Sequence, residues 1–295
     1  MKYVIAGGAG HISKPIVEAL LAAGHQVRVI GRNAEHLSGL TAKGAEAAIG
    51  SVEDTTFLSK AFADVDAAYT MVPPNFATND LKGYIAQVGK NYAYAIRENK
   101  VKHVVNLSSI GAHMQEGAGP VSGLYYVEQA LNAVPETNVL HLRPAYFYHN
   151  LFGQVPMIKH MNLLGSNFGG NNKLMMTDPR DIAVVAIDAL LKLDFKGHNI
   201  SYIASDERTG DEIARVLGNA IGKPDLKWVV FSDEQAVGGM IQAGLPEEMA
   251  KNYGEMGHAI NSGEFGRDYW EHRPRLSKTK LEDFASQFAE AYQAN

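Results

Sequence analysis

The sequence predicts an α/β protein, a doubly wound parallel sheet joined to a smaller helix-rich C-terminal region. Three observations lead to it. Short apolar runs alternate with stretches of helical spacing along the first 150 residues. A glycine-rich turn links the first run to the first helical stretch. Near residue 150 the alternation gives way to longer helical spacing. Strands alternating with helices require a parallel sheet covered on both faces, and right-handed crossovers wind it in two directions. With 46% hydrophobic and 20% charged residues, the 295-residue chain has the composition of a folded protein with a sizeable core.

Tyr3–Ala6 is a short apolar strand that runs into glycines. Ile12, Ile16, Ala19, Leu20 and Ala23 then keep helical spacing until Gly24 stops the helix. Val27–Ile30 is a second strand, Ala45–Ile49 a third, and Asp54–Ala63 a short helix. Ala67–Val72 is a fourth strand, ended by Pro73-Pro74, and Leu81–Asn99 a long helix. Val101–Leu107, Ser122–Ala133 and Val139–Leu142 continue as strand, helix and strand. These residues, 1–150, form the first domain. Residues 151–295 form a smaller substrate-side domain, made discontinuous because helix Asp178–Leu193 and strand Asn199–Ala204, within 176–204, return to the sheet. Beyond them Thr209–Ile221, Asp233–Ala243 and Pro246–Ile260 read as helices and Lys227–Phe231 as a strand.

Composition excludes several classes. A formal net charge of −5 without a dense basic run argues against direct nucleic-acid binding. The absence of cysteine excludes disulfides, thiolate metal sites and a cysteine nucleophile. No apolar run approaches the length of about 18 residues that a membrane span needs, and the start of the chain lacks a signal-peptide pattern, so a cytoplasmic protein is expected. The 11 histidines are scattered, with no H-E-x-x-H, and no metal is expected. Ser108-Ser109 lacks the G-x-S-x-G setting of a serine nucleophile. Glu247-Glu248 and Glu282-Asp283 read as solvated helix starts.

The turn Gly7-Gly8-Ala9-Gly10-His11-Ile12-Ser13 carries the functional argument. Gly7 permits a tight turn out of the strand, and Gly10 lets the backbone approach an anion without a Cβ in the way. The amides that open the following helix point at that anion, and Pro15 suits its first turn. Strand, glycine turn, helix and second strand together make the context of dinucleotide pyrophosphate binding. Ser13 stands where the motif has its third glycine. At the end of the second strand, Gly31-Arg32-Asn33 offers no carboxylate for the adenosine ribose hydroxyls. Arg32 instead suits a 2′-phosphate, so NADP(H) is expected over NAD(H).

The chain resembles the NmrA-like group of atypical short-chain dehydrogenases/reductases. The resemblance runs nearly end to end: Gly7–Ile12, Gly24–Val29, Gly31-Arg32, Met71–Pro74, Leu107–Ala112, Leu142–Phe147 with Asn150, and Thr177–Ala183. It implies a Rossmann domain with a small C-terminal domain and substrate held between them. It implies cofactor contacts from Gly7, Gly10, His11, Ile12 and Arg32, with Val72, Pro73 and Pro74 lying along the cofactor towards the nicotinamide. Ser108, at the end of the fifth strand, belongs with these contacts. Ser109, His113, Tyr125, Tyr126, Phe147, Tyr148 and Asn150 are the substrate-pocket candidates. Core packing accounts for the aromatics equally well, and solvation for His113.

Ordinary short-chain dehydrogenases carry a Tyr-x-x-x-Lys pair, in which the lysine lowers the tyrosine pKa for proton exchange. On the corresponding helix Tyr125 is followed four residues later by Gln129, and Tyr126 by Ala130. Anchoring on Glu128 places Leu124 and Pro120 at the lysine and tyrosine positions, so neither register restores the pair. The catalytic residues are therefore unassigned. Two activities fit. One is NADPH-dependent reduction of a quinone-like or other small conjugated acceptor, which asks mainly for alignment of two partners. The other is non-enzymatic NAD(P) sensing through a protein partner. A nucleotide-sugar enzyme would need Arg267, Arg273 and Arg275 as a pyrophosphate site.

Overall fold

The computed structural model describes residues 1–294. Its first part alternates strictly. β1 (Lys2–Ile5), α1 (Ser13–Ala22), β2 (Gln26–Gly31), α2 (Ala34–Thr41) and β3 (Glu46–Ile49) form one half. α3 (Thr55–Ala61), β4 (Ala67–Thr70), α4 (Leu81–Asn99), β5 (His103–Leu107), α5 (Pro120–Asn132) and β6 (Asn138–Pro144) form the other. The helix α2 was missed in the sequence. Its marker is Asn33, whose side chain accepts from the Glu35 N–H and caps it, and it buries only Leu37 and Leu40.

After β6 come β7 (Tyr146–Phe147), a 3-10 turn at Tyr148–Gln154, α6 (Val155–Met161), β8 (Leu164–Ser166) and β9 (Leu174–Thr177). α7 (Pro179–Lys192), β10 (His198–Ile203), β11 (Asp206–Arg208), α8 (Gly210–Ala220) and β12 (Trp228–Val230) follow. α9 (Asp233–Gln242), α10 (Glu247–Ser262), α11 (Arg267–Glu271) and α12 (Leu281–Ala294) complete the described chain.

Seven parallel strands form the main sheet in the order β10-β6-β5-β4-β1-β2-β3. β10 pairs with β6, and α7 packs beside α1, so this later segment adds a seventh strand and its covering helix. The order reverses between β1 and β4, the switch point where doubly wound sheets open a crevice at their carboxyl ends. Tyr3, Ile5, Val29, Val105 and Leu142 bury one face against α1 and α7, while Val4, Ala68, Val104 and Val139 bury the other against α4 and α5. The remaining region is less helical than its sequence suggests. It contains a three-stranded sheet β11-β9-β7 and a two-stranded sheet β12-β8; β12 lies within the expected strand Lys227–Phe231, and the others are too short for periodicity to reveal.

Glu248 departs from its sequence reading. It does not merely start α10 in solvent: its Oε1 accepts from the Leu81 N–H and the Asn252 amide, tying α10 to the start of α4. The capping box at Thr209 and Glu212, by contrast, is a local signal written into the sequence.

Candidate functional site

The glycine turn leaves β1 with Gly7 at φ 96° and Gly8 at φ 57°, values that side chains rarely adopt. A Cβ on Gly7 would run into the Ser13 hydroxyl and crowd Met71. That serine is 3% exposed, and its Oγ donates to the Ala6 carbonyl at 2.8 Å. Ser13 thus replaces the close packing of a third glycine with a hydrogen bond that pins the start of α1 to the end of β1. The φ of Gly10 is not positive, and a Cβ there would press on the Gly7 carbonyl at 3.1 Å, so the turn's own closure also restricts this position. Ile12 caps α1 without a side-chain hydrogen bond, while the Lys14 N–H in its first turn donates to the Gly10 carbonyl at 2.9 Å.

A cleft of about 1030 Å³ lies over this turn. Gly7–Ser13 form its floor, with Ile30–Asn33, His36 and Leu37 at one end and Gly50–Glu53 beside them. Arg32 is exposed there, and among the described residues no carboxylate forms an ion pair with it. Pro73 and Pro74 line the opposite wall with Tyr84 and Met71. Two tyrosines of α4 hold that wall from behind: Tyr84 donates to the Pro73 carbonyl at 3.0 Å, and Tyr92 to the Met71 carbonyl at 2.9 Å. Val72 faces a smaller adjoining pocket of about 200 Å³ with Pro73, Pro74 and Leu124, outside the main cleft.

A second cavity, of about 380 Å³, opens beside the first, and Phe147 lines both. Ser108, Ser109 and Ile110 enter it from the end of β5, and Asn150 from the turn after β7. Its walls are mostly apolar, with Leu124, Tyr146, Met175, Met256, Phe265 and Trp270. Lys173 is the one charged residue among those lining it.

Behind Ser108 lies a buried ionic network. The Ser108 hydroxyl donates to Glu128 Oε1 at 2.5 Å. Arg143 grips both oxygens of Glu128, Nε to Oε1 at 3.0 Å and Nη2 to Oε2 at 2.6 Å. Its Nη1 reaches Asp268 at 2.6 Å, and the Tyr202 hydroxyl also donates to Asp268. Glu128 is 2% exposed and Arg143 5%. A fork-on-carboxylate pair at this depth is an ion pair held in fixed geometry. Because the Ser108 proton is committed to Glu128, its remaining lone pairs can only accept a hydrogen bond from a group in the cavity.

The predicted pocket residues divide. Ser109, Phe147 and Asn150 line the smaller cavity, and His11 and Ile12 the larger cleft. Tyr148 is fully buried in the C-terminal core, stacked on Phe284 at 5.5 Å, with its hydroxyl on the Thr279 carbonyl. Tyr125 and Tyr126 stand edge-to-face at 5.3 Å on the outer side of α5, where Gln115 bonds Tyr126. His113 lies against the segment 264–268, beyond the cavity wall, and burial lowers its pKa. Four of the seven candidates, His113, Tyr125, Tyr126 and Tyr148, therefore line neither cavity, because a strand-end or helix position fixes the element but not which face meets a cavity. Arg267 and Arg273 are engaged by Glu264 and Glu207, so they do not assemble an anion site.

The sequence reading missed Glu128 as a site residue, along with Tyr84, Tyr92 and the wall from Met256 to Trp270. Tyr84 and Tyr92 fall on the apolar stripe Leu81, Ile85, Val88 of α4, a signal present in the sequence. The distant wall comes from some 110 residues further along the chain than Asn150, and no local pattern joins the two.

An NAD(P)H azoreductase from Xenophilus azovorans is 26% identical over 293 residues, 99% of this chain and 98% of that protein. A triphenylmethane reductase from Citrobacter sp. has the same fold, with a TM-score of 0.79 at 22% identity over 98% of this chain and 100% of that one. An NADPH-dependent quinone oxidoreductase from Escherichia coli, solved with NADPH, gives a TM-score of 0.76 at 18% identity, covering 97% of this chain and 99% of its own. The model of the NmrA-like family matches residues 2–287. The chain belongs to the NmrA-like family.

Proposed function

We propose that this protein is an NADPH-dependent reductase that delivers hydride to a flat conjugated acceptor of quinone or azo type held in the smaller cavity. The observation that carries the reading is the apolar cavity opening through Phe147 onto the dinucleotide cleft, with no Tyr-x-x-x-Lys pair beside it. The reductase names of the family relatives agree with it.

The cleft suits a dinucleotide. Gly7 and Gly8 form a cradle without side chains, the uncapped start of α1 faces the pyrophosphate position, and Arg32 takes the 2′-phosphate. Bound there, NADPH supplies the hydride. The chain's own work is placement. Met71, Pro73 and Pro74, fixed by Tyr84 and Tyr92, hold one side of the cleft. Ser108, locked by Glu128, accepts from an amide or other N–H donor at the mouth of the cavity. Phe147, Phe265 and Trp270 give the acceptor flat apolar surfaces and keep water away. Ser109, Asn150 and Lys173 are the wall groups able to donate to the acceptor as its negative charge develops.

The test is loss of NADPH absorbance against a panel of quinones and azo compounds, with cofactor binding measured in parallel. Turnover that saturates with at least one acceptor, and falls when Phe147 or Trp270 is cut to alanine, supports the reading. Tight NADPH binding with no turnover on any acceptor would replace it with a cofactor sensor.

A further inference from the structure

Two imidazoles meet edge to face at the wall of the dinucleotide cleft. His11 comes from the glycine turn, and His149 from the 3-10 turn of the C-terminal region. Their ring centroids are 4.9 Å apart at an interplanar angle of 78°, and both line the cleft over the start of α1. His149 is backed on its other side by Phe152 and Phe284, at 5.6 and 5.9 Å, so its ring is braced towards the cleft. Asp178 and Arg180, at the start of α7, are the remaining charged groups near it, and they neutralise each other in an ion pair at 2.7 Å.

We propose that His11 and His149, one from each part of the chain, act together as a two-imidazole clamp on the pyrophosphate of the bound dinucleotide, which lies against the cleft side of the pair. The inference rests on the dinucleotide reading of the cleft. Without an anion, two charged imidazoles at this separation repel each other, and His149 is also half-buried against the phenylalanines. Burial and the neighbouring His11 accordingly hold His149 below the ordinary histidine pKa, Asp178 pulls the other way, and Arg180 adds to the depression. A pyrophosphate lying in the cleft against this pair brings negative charge close to both rings, so binding favours the charged imidazolium of His149 and takes up a proton. Affinity is then greatest at low pH and is lost as pH rises through the His149 pKa of the bound state. Because His149 is anchored in the C-terminal core, the same contact couples cofactor binding to the region that walls the acceptor cavity.

NAD⁺ is the appropriate probe, since it carries the pyrophosphate but no 2′-phosphate to titrate in the window. Its affinity is measured by calorimetry at about pH 6 and about pH 8 for the parent, His11→Gln, His149→Gln and the double variant. A one-unit rise in the pKa on binding corresponds to about tenfold tighter binding on the acid side. The expected result is a parent roughly tenfold tighter at the lower pH, proton uptake near neutrality, and a flat profile without uptake in the double variant. An equal pH profile in parent and double variant, with normal binding in both, overturns the clamp and leaves the dinucleotide reading intact. Failure of the parent to bind NAD⁺ or NADP⁺ at any pH overturns the dinucleotide reading, and the clamp with it.

Discussion

Replacing Arg32 with alanine isolates one charge on one ligand group. Arg32 is exposed at the end of the cleft and has no carboxylate partner among the described residues, so removing it breaks no ion pair within the chain. Its electrostatic contribution is therefore that of a guanidinium beside the 2′-phosphate, which carries between one and two charges. Two unit charges about 4 Å apart are worth about 1 kcal/mol in water. A phosphate of that charge raises this to about 2 kcal/mol at low salt, before screening. Since about 1.4 kcal/mol is tenfold in an equilibrium constant, Arg32→Ala should weaken NADPH roughly 10- to 30-fold and leave NADH nearly unchanged. Fluorescence titration of both cofactors at two salt concentrations measures it. The NADPH loss should shrink as salt rises, because an exposed pair is screened over about 10 Å at 0.1 M. An equal loss for NADH and NADPH, or a loss insensitive to salt, would refute the assignment of Arg32 to the 2′-phosphate.

Further substitutions test the site's supports and the buried core. Gly7→Ala forces a side chain into φ 96° and against the Ser13 hydroxyl, and should cost about 2–3 kcal/mol in urea unfolding; Ser13→Gly in the same chain should restore only the part due to the collision. Glu128→Gln leaves Arg143 partly uncompensated in a buried site and should cost about 3 kcal/mol, whereas Ser108→Ala should cost about 1 kcal/mol and act mainly on turnover and cofactor KM. His141 is 1% exposed, with Nδ1 against the Asn106 amide at 3.1 Å and Nε2 against Asn132 Oδ1 at 2.9 Å. Burial lowers its pKa to about 4. As pH falls below the unfolded value of about 6.5, the unfolded chain takes up a proton that the folded one refuses. Stability should fall by about 3 kcal/mol down to pH about 4 and then level off, and a His141→Gln variant should lose less over that range in thermal melts.

Much of the fold could be read from the sequence because its signals are local. A strand that runs into Gly7-Gly8, a helix that ends at Gly24, and the apolar stripe of α4 each state their structure within a few residues. The return of β10 to the sheet follows from the alternation of apolar segments. The short strands β7, β8, β9 and β11 could not be read, since two to four residues carry no usable period, whereas β12 lies within the expected strand Lys227–Phe231. The cleft was legible for the same reason as β1 and α1: one continuous segment builds its floor. The acceptor cavity was not, because its walls come from β5, from β7 and its following turn, from β9 and from the stretch between Met256 and Trp270. Tyr148 and Asn150 lie two residues apart in one turn, yet one enters the core and the other the cavity.

Glu128 links these two levels of description. As a carboxylate on the face of α5 that meets β5 and β6, it would ordinarily be an expensive burial, and the two-pronged Arg143 together with the Ser108 hydroxyl offsets that cost. Replacing the pair with apolar residues would keep the packing, but it would release the Ser108 proton. The hydroxyl could then turn and donate, and the cavity would lose the fixed acceptor that selects an N–H group over a carbonyl. The ionic network thus sets the polarity of one hydroxyl in the wall of the smaller cavity. It differs from the lysine that lowers a tyrosine pKa in ordinary short-chain dehydrogenases. In those enzymes the helix residue makes a proton available for transfer. Here the carboxylate at Glu128 holds a proton still, which suits a site whose task is to align a hydride donor with an acceptor.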